Sequence, residues 1–212
     1  MARSAKWLAM AEAHPDDPAP RPDGRHLRRE RGREAVMDGL IELLFEGVLF
    51  PNAQQIAERA GVSHMSVYRY FEGVGELRDA ALSRWLSSNT DVLQIDVMGV
   101  GDRTGRIERL VDARLGLYET AEPLARLFRV RSQEVARADA IHRFLHVGYV
   151  AQITEHFGVE LAPMVEREAA RLVGAIATLT SFESWDLLRE YHDFDRGEIH
   201  AVWSSAVDAL TR

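Results

Sequence analysis

The chain contains no cysteine, which excludes disulfides and thiolate-bound metal. It has no apolar run approaching the roughly 20 residues that span a bilayer. Near the start, "WLAMA" is closed at once by Glu12, too short an apolar stretch for a secretory signal, so a cytoplasmic protein without membrane attachment is expected. No Gly-rich phosphate loop, nucleophile elbow or paired-carboxylate signature occurs, so neither catalysis nor a cofactor is expected. "GVGDRTG" follows no strand and reads as a loop. Nothing between residues 34 and 90 alternates with the period of a strand.

What remains is an ordinary globular composition, 46% apolar and 28% charged over 212 residues. The net charge of −7 argues against a chain that coats nucleic acid indiscriminately. Its distribution is uneven. Residues 25–33, "RHLRRERGR", hold five arginines and one glutamate, whereas residues 91–212 hold 14 basic and 20 acidic side chains. An acidic body with one basic end can grip a polyanion at that end only, although the run also reads as a solvated helix start. Residues 1–24, with prolines at 15, 18, 20 and 22, read as a disordered tail.

From residue 34 the pattern is helical. Val36, Leu40, Leu43 and Leu44 share one helix face, and Gly47 is placed to end it. Asn52 and Gln55 have the spacing of a capping box at the start of a second, two-turn helix. Gly61 allows a sharp turn, Val62 plugs it, and Ser63 is placed to cap a third helix running to about Phe71. On a wheel of that helix Val67 and Phe71 face inward, Met65 and Arg69 outward, with Tyr68 on one flank and Ser66 and Tyr70 on the other. His64 lies in the first turn, where a recognition helix meets base edges. Hydroxyls on the flanks suit phosphate oxygens, and the surface matching this set is the major groove of DNA.

"AQQIAERAGVSHMSVYRYFEGVGEL" resembles the DNA-binding module of the TetR family of transcriptional regulators. The resemblance rests on Ile-Ala-x-x-Ala-Gly-Val-Ser, then Tyr-x-Tyr-Phe, then Leu77 opening a fourth helix. The preceding "REAVMDGLIELLFEGV" is similar to the family's first helix, and the match covers about residues 33–85. "SFESWDLLREYHDFDRGEIHAVWSSAVDAL" is similar to the closing helices of some members. The resemblance implies Asn52, Ser66, Tyr68 and Tyr70 as phosphate contacts and Gln54, His64, Met65 and Arg69 as base-edge contacts, with Tyr68 able to serve either role; Ser63 belongs to the same DNA-facing set. Many members carry a lysine at the start of the fourth helix; here Val74 stands there, between two glycines. The arginines before residue 34 are expected to compensate, as an arm reaching the backbone or the minor groove.

The expected fold is all-α. A disordered tail (1–24) precedes a helix-turn-helix module (25–75), a connecting helix (76–90) and a ligand-binding and dimerisation bundle (91–212). In the bundle, helices are expected at about 104–120, 123–131, 133–157, 162–190 and 196–211. The family resemblance implies a pocket among the middle helices, with Tyr118, Phe128, His142, His146 and Tyr149 as candidates for binding a small apolar or aromatic effector. His142 and His146 also have a spacing that permits joint metal binding, but no third ligand follows from the sequence, and no metal is expected. Small and apolar residues on the last helices, Ala170, Gly174, Ala177, Ile199, Val202, Trp203 and Ala206, are the expected homodimer surface. The implied function is a repressor that binds a palindromic operator in double-stranded DNA as a homodimer and is released by its effector. The alternative is a helical small-molecule-binding or scaffold protein with an impaired reading head.

Overall fold

The structure, a computed structural model, describes residues 24–132 and 136–212. Every regular element among them is helical. The first is α1, Gly24–Phe45, which begins ten residues before the apolar periodicity does. Its early turns contain good helix formers such as Leu27 and several arginines, and His26 pairs with Glu30 one turn on at 3.2 Å. Gly47 ends the helix as the sequence predicts. With φ +90° it closes a Schellman motif, in which Val48 N–H donates to the Leu43 carbonyl and Gly47 N–H to that of Leu44.

Helix α2, Ala53–Arg59, starts with the expected capping box between Asn52 and Gln55. It ends in a second Schellman motif: Gly61 takes φ +65°, and Val62 N–H reaches the Ala57 carbonyl. Then come α3, His64–Tyr70, and α4, Val74–Ser88. The heads of these helices share one core of Val36, Leu40, Leu44, Ile56, Val67, Phe71 and Leu77.

The body opens with α5, Arg103–Ser132. It is one helix where two were expected, because Pro123 lies inside it rather than ending it. An internal proline costs about 3 kcal/mol, and packing outweighs that here: Leu124 and Leu127 are buried just beyond it, and its neighbours Glu122 and Arg126 form ion pairs with Arg189, Asp186 and Glu190. Helix α6, Ala136–His156, and the single turn α7, Gly158–Leu161, follow. The stretch expected as one helix over 162–190 is two, α8, Glu166–Leu179, and α9, Phe182–His192. Ser181 makes the break, its side chain accepting from Ser184 N–H. Helix α10, Arg196–Leu210, begins at a capping box of Asp195 and Glu198.

The body packs around Leu110, Leu115, Tyr118, Ile153, Phe157, Ile176, Trp185 and Trp203. Ion pairs lash its helices together. Arg126 joins Asp186 and Glu190 on α9, each at 2.8 Å, Arg189 returns to Glu122 at 2.7 Å, and Arg103 meets Asp208 on α10 at 2.7 Å. The two groups form one continuous core, which helix α4 spans with Leu77 at one end and Trp85 at the other.

Candidate nucleic-acid interface and ligand cavity

Helix α3 is short, and its placement comes from below. Val67 and Phe71 are buried in the head, as the wheel requires, and the Arg33 guanidinium lies 4.7 Å from the centre of the Phe71 ring. That anchoring turns the opposite face to solvent. Met65 is 72% exposed and Tyr68 47%, with His64 and Arg69 also exposed. The His64 and Tyr68 rings meet edge to face at 5.1 Å, which holds the phenol outward. His64, Met65, Tyr68 and Arg69 are therefore brought together on one open face.

The hydroxyl flank differs from the expectation. Ser66 is buried, and its Oγ lies 2.9 Å from the Ser63 Oγ and accepts from the Arg69 guanidinium at 3.0 Å. Residues 63 and 66 are one turn apart, so the two hydroxyls satisfy one another. In this arrangement Ser66 supports Ser63 and Arg69 instead of presenting itself to a phosphate. Ser63 occupies the cap position but makes no side-chain cap bond, for the same reason. Tyr70 is half-buried, with its hydroxyl accepting from Arg69 at 3.1 Å. Asn52 is exposed, its Oδ1 occupied in the α2 cap, which leaves its amide N–H groups to donate. Gln54 is exposed and donates to Glu58 at 2.6 Å.

One contact with α3 carries no local sequence signal. Gly32 on α1 sits against Tyr70 so closely that an added Cβ would come within 2.7 Å of the tyrosine Cζ. A pairing of residues so far apart in the chain leaves no periodic trace. Only a glycine amid arginines hinted that another group approaches the backbone there.

In the body, a cavity of about 120 Å³ lies between α4, α5, α6, α8 and α9. Its wall is largely apolar: Leu82, Trp85 and Leu86 from α4 face Tyr118, Ala121 and Leu124 from α5 and Phe182 from α9. Tyr118, His146 and Tyr149 of the expected set line it; Phe128 and His142 lie outside the described side chains. The Tyr118 ring packs on Phe182 at 5.7 Å and Trp203 at 6.3 Å. Burial pushes the Tyr118 phenol far above its ordinary range. Burial raises Tyr149 as well, partly offset by the Arg114 guanidinium, which stacks 4.2 Å from its ring centre. Both phenols are thus neutral donors at physiological pH. Arg114 is itself only 1% exposed and donates to Gln152 at 3.1 Å, a buried cation that sequence reading missed. Among the described residues no group of three His, Cys, Asp or Glu side chains could hold a metal ion.

The expected dimer residues divide. Ala170 and Gly174 are exposed on α8 and Val202 on α10, with Ala206 partly so. Ile199 and Trp203, each with no exposed surface, and Ala177, which lines the cavity, are core residues of this chain. Amphipathic spacing marks an apolar face without saying whether the same chain or another one covers it. The Trp203 indole N–H donates to Ser184 Oγ at 3.2 Å, a bond within the bundle.

No helix among the described residues is long and apolar enough to cross a membrane. No protein-family model and no curated protein sequence matches the chain. Solved structures do match its fold. A transcriptional regulator from Rhodococcus sp. Rha1 is 18% identical over 86% of this chain and 95% of its own length, with a TM-score of 0.64. A TetR-family transcriptional regulator from Streptomyces coelicolor is 20% identical over 85% of this chain and 80% of its own, with a TM-score of 0.69. At these identities the likeness establishes a shared all-helical fold of head and bundle.

Proposed function

We propose that the chain is a TetR-type transcriptional repressor, a cytoplasmic homodimer that holds a palindromic DNA operator and lets it go when a small apolar or aromatic effector enters the bundle. The observation that carries this reading is α3 itself, anchored through Val67 and Phe71 while His64, Met65, Tyr68 and Arg69 stand exposed together. No need of the fold explains why a two-turn helix should hold that set outward, whereas base edges and phosphates in a major groove do. The shared fold with solved transcriptional regulators supports it.

Two such helices related by a two-fold axis, about 34–36 Å apart, fit two half-sites one helical turn apart. The exposed small residues Ala170 and Gly174 with Val202 are the proposed contact between protomers. Helix α4 offers the route for release, since it shares the head's core at Leu77 and walls the cavity at Leu82, Trp85 and Leu86. A ligand that prefers a cavity shape with the two heads mis-spaced lowers DNA affinity by its differential binding, typically about 1–3 kcal/mol.

Selection of bound sequences from a random duplex pool tests the reading directly. A palindromic consensus is expected, and Tyr68→Ala or Arg69→Ala should weaken binding to it at least tenfold. A folded chain that enriches no sequence would refute the proposal.

A further inference from the structure

We propose that the arginine-bearing opening turns of α1 form a second phosphate-binding surface, which grips the backbone of duplex DNA beside the segment that α3 reads. This rests on the reading of α3 as a DNA-facing helix, and it concerns a part of the chain that such a reading does not need.

The charge of the head points there. Residues 34–75 hold only Arg59 and Arg69 against six carboxylates. Arg59 is engaged by Glu46 at 2.5 Å and Glu42 at 3.5 Å. By itself this unit supplies few cations to neutralise phosphates, and its net negative charge opposes approach to a polyanion. The opening turns carry the opposite charge, so that residues 25–75 together are neutral and the positive charge is gathered at one end. Residues 25–33 carry five arginines and only Glu30, whose partner is His26. Arg28, Arg29 and Arg31 are exposed, and among the described residues none of them meets a carboxylate.

Placement agrees with charge. Gly32 rests on Tyr70 at the end of α3, and Arg33 covers Phe71, so this stretch is fixed against the recognition helix. At 100° per residue, Arg28 points within about 40° of the Gly32 direction and Arg29 within about 60°. Both therefore rise, about one turn before Gly32, from the side of α1 that leans on α3, and Arg31 stands about 100° round the helix from it. The helix does not explain them. Its first turn has no acidic residue, whereas the dipole favours anions there, and neighbouring like charges repel. An external anion resolves both costs.

The helical form also narrows the expected mode of contact. A helix about 10–12 Å across does not enter a minor groove about 6 Å wide, so of the two expected contacts the helical residues suit the backbone, as a rod lying along phosphates. Any arm before Gly24 lies outside the described residues. The rod's contribution is then independent of base sequence.

The test uses the full chain with Arg28, Arg29 and Arg31 all changed to Gln, on the selected duplex and on an unrelated one, across a salt series. Binding to both duplexes should fall at least tenfold. The slope of log affinity against log salt should become shallower by about 2–3, at about 0.9 per phosphate contact, with the base preference unchanged. Changing the same three to Lys should keep the wild-type slope, and melting curves of the variants should match that of the parent. If the Gln variant binds both duplexes with wild-type affinity and slope, this surface is refuted while the α3 reading stands. A wild-type chain that binds no duplex refutes both.

Discussion

The Tyr118 hydroxyl donates to the Thr180 carbonyl at 2.8 Å, joining the wall of the cavity to the break between α8 and α9. Both groups are buried, so the bond has no competition from water. Tyr118→Phe keeps the ring contacts with Phe182 and Trp203 but removes the donor. A carbonyl left without its buried partner costs about 1–3 kcal/mol, and in a chain of this size each kcal/mol lowers the melting temperature by about 2–4 °C. Thermal and urea denaturation should both show the loss. An unchanged midpoint would mean that the carbonyl has another partner.

His156 makes stability depend on pH. Its Nδ1 accepts from Gly99 N–H at 3.1 Å, and its Nε2 lies 2.8 Å from the Arg106 carbonyl. One ring nitrogen therefore accepts and the other donates, which is the neutral imidazole. Burial holds its pKa below the ordinary value. The Arg106 carbonyl bond opposes that shift, Arg109 and Arg106 add to it, and Glu160 opposes it. The unfolded chain takes up the proton at about 6.5, while the folded chain does so only at lower pH. Stability is thus complete above that value and falls as pH drops from it towards the folded pKa. The slope approaches about 1.4 kcal/mol per pH unit while only the unfolded chain is protonated. Urea midpoints of wild type and His156→Gln between pH 5 and 7 should converge as pH falls; parallel curves would exclude the histidine as the cause.

The head was legible in the letters because its signals are local. Asn52 with Gln55, Gly61 with Val62, and Val67 with Phe71 each lie within a few residues, and each does in the structure what its spacing implies. The extra length of α1 was legible only as one of two readings, a solvated helix start or a basic arm, because charged helix formers without an apolar stripe fit both. Pro123 misled for the opposite reason: its local cost is real, and distant packing overrides it. For the dimer residues, Trp203 and Val202 are neighbours in one amphipathic helix, yet one is covered by its own chain and the other exposed. Only three-dimensional packing separates them.

That separation gives opposite expectations for neighbouring substitutions. Gly174→Glu together with Val202→Glu places carboxylates on exposed surface, and a Cβ at Gly174 meets nothing within 4 Å. In a two-fold contact each new charge faces its own copy or its neighbour's. The double variant should sediment as a folded monomer with a melting temperature near that of the dissociated parent. Trp203→Ala instead empties a buried site and should cost about 3–5 kcal/mol, seen as unfolding at every protein concentration. If the glutamate variant remains a dimer, the contact lies elsewhere on the body.

The size of the cavity limits what can fill it. At about 120 Å³ it is close to the volume of an engineered apolar cavity that stays dry and takes up benzene, about 150 Å³. One or two fused rings fit without rebuilding the wall, and indole is a suitable probe. Indole at 100 times its dissociation constant should stabilise the chain by about 2.7 kcal/mol, readable as a rise in melting temperature. Ala121 and Ala177 both line the space, so Ala121→Leu fills volume that the ring would need and should abolish that rise. The same substitution separates binding from regulation. Leu82, Trp85 and Leu86 bring α4 to the cavity wall, so a ring that enters acts directly on the helix that carries the head. Wild type should lose DNA affinity about 5–150-fold at saturating ligand, whereas Ala121→Leu should hold DNA with or without indole. A melting shift that persists in Ala121→Leu would put the probe somewhere else. A shift abolished there, with no effect of indole on wild-type DNA binding, would leave the cavity as a binding site but break its link to the head.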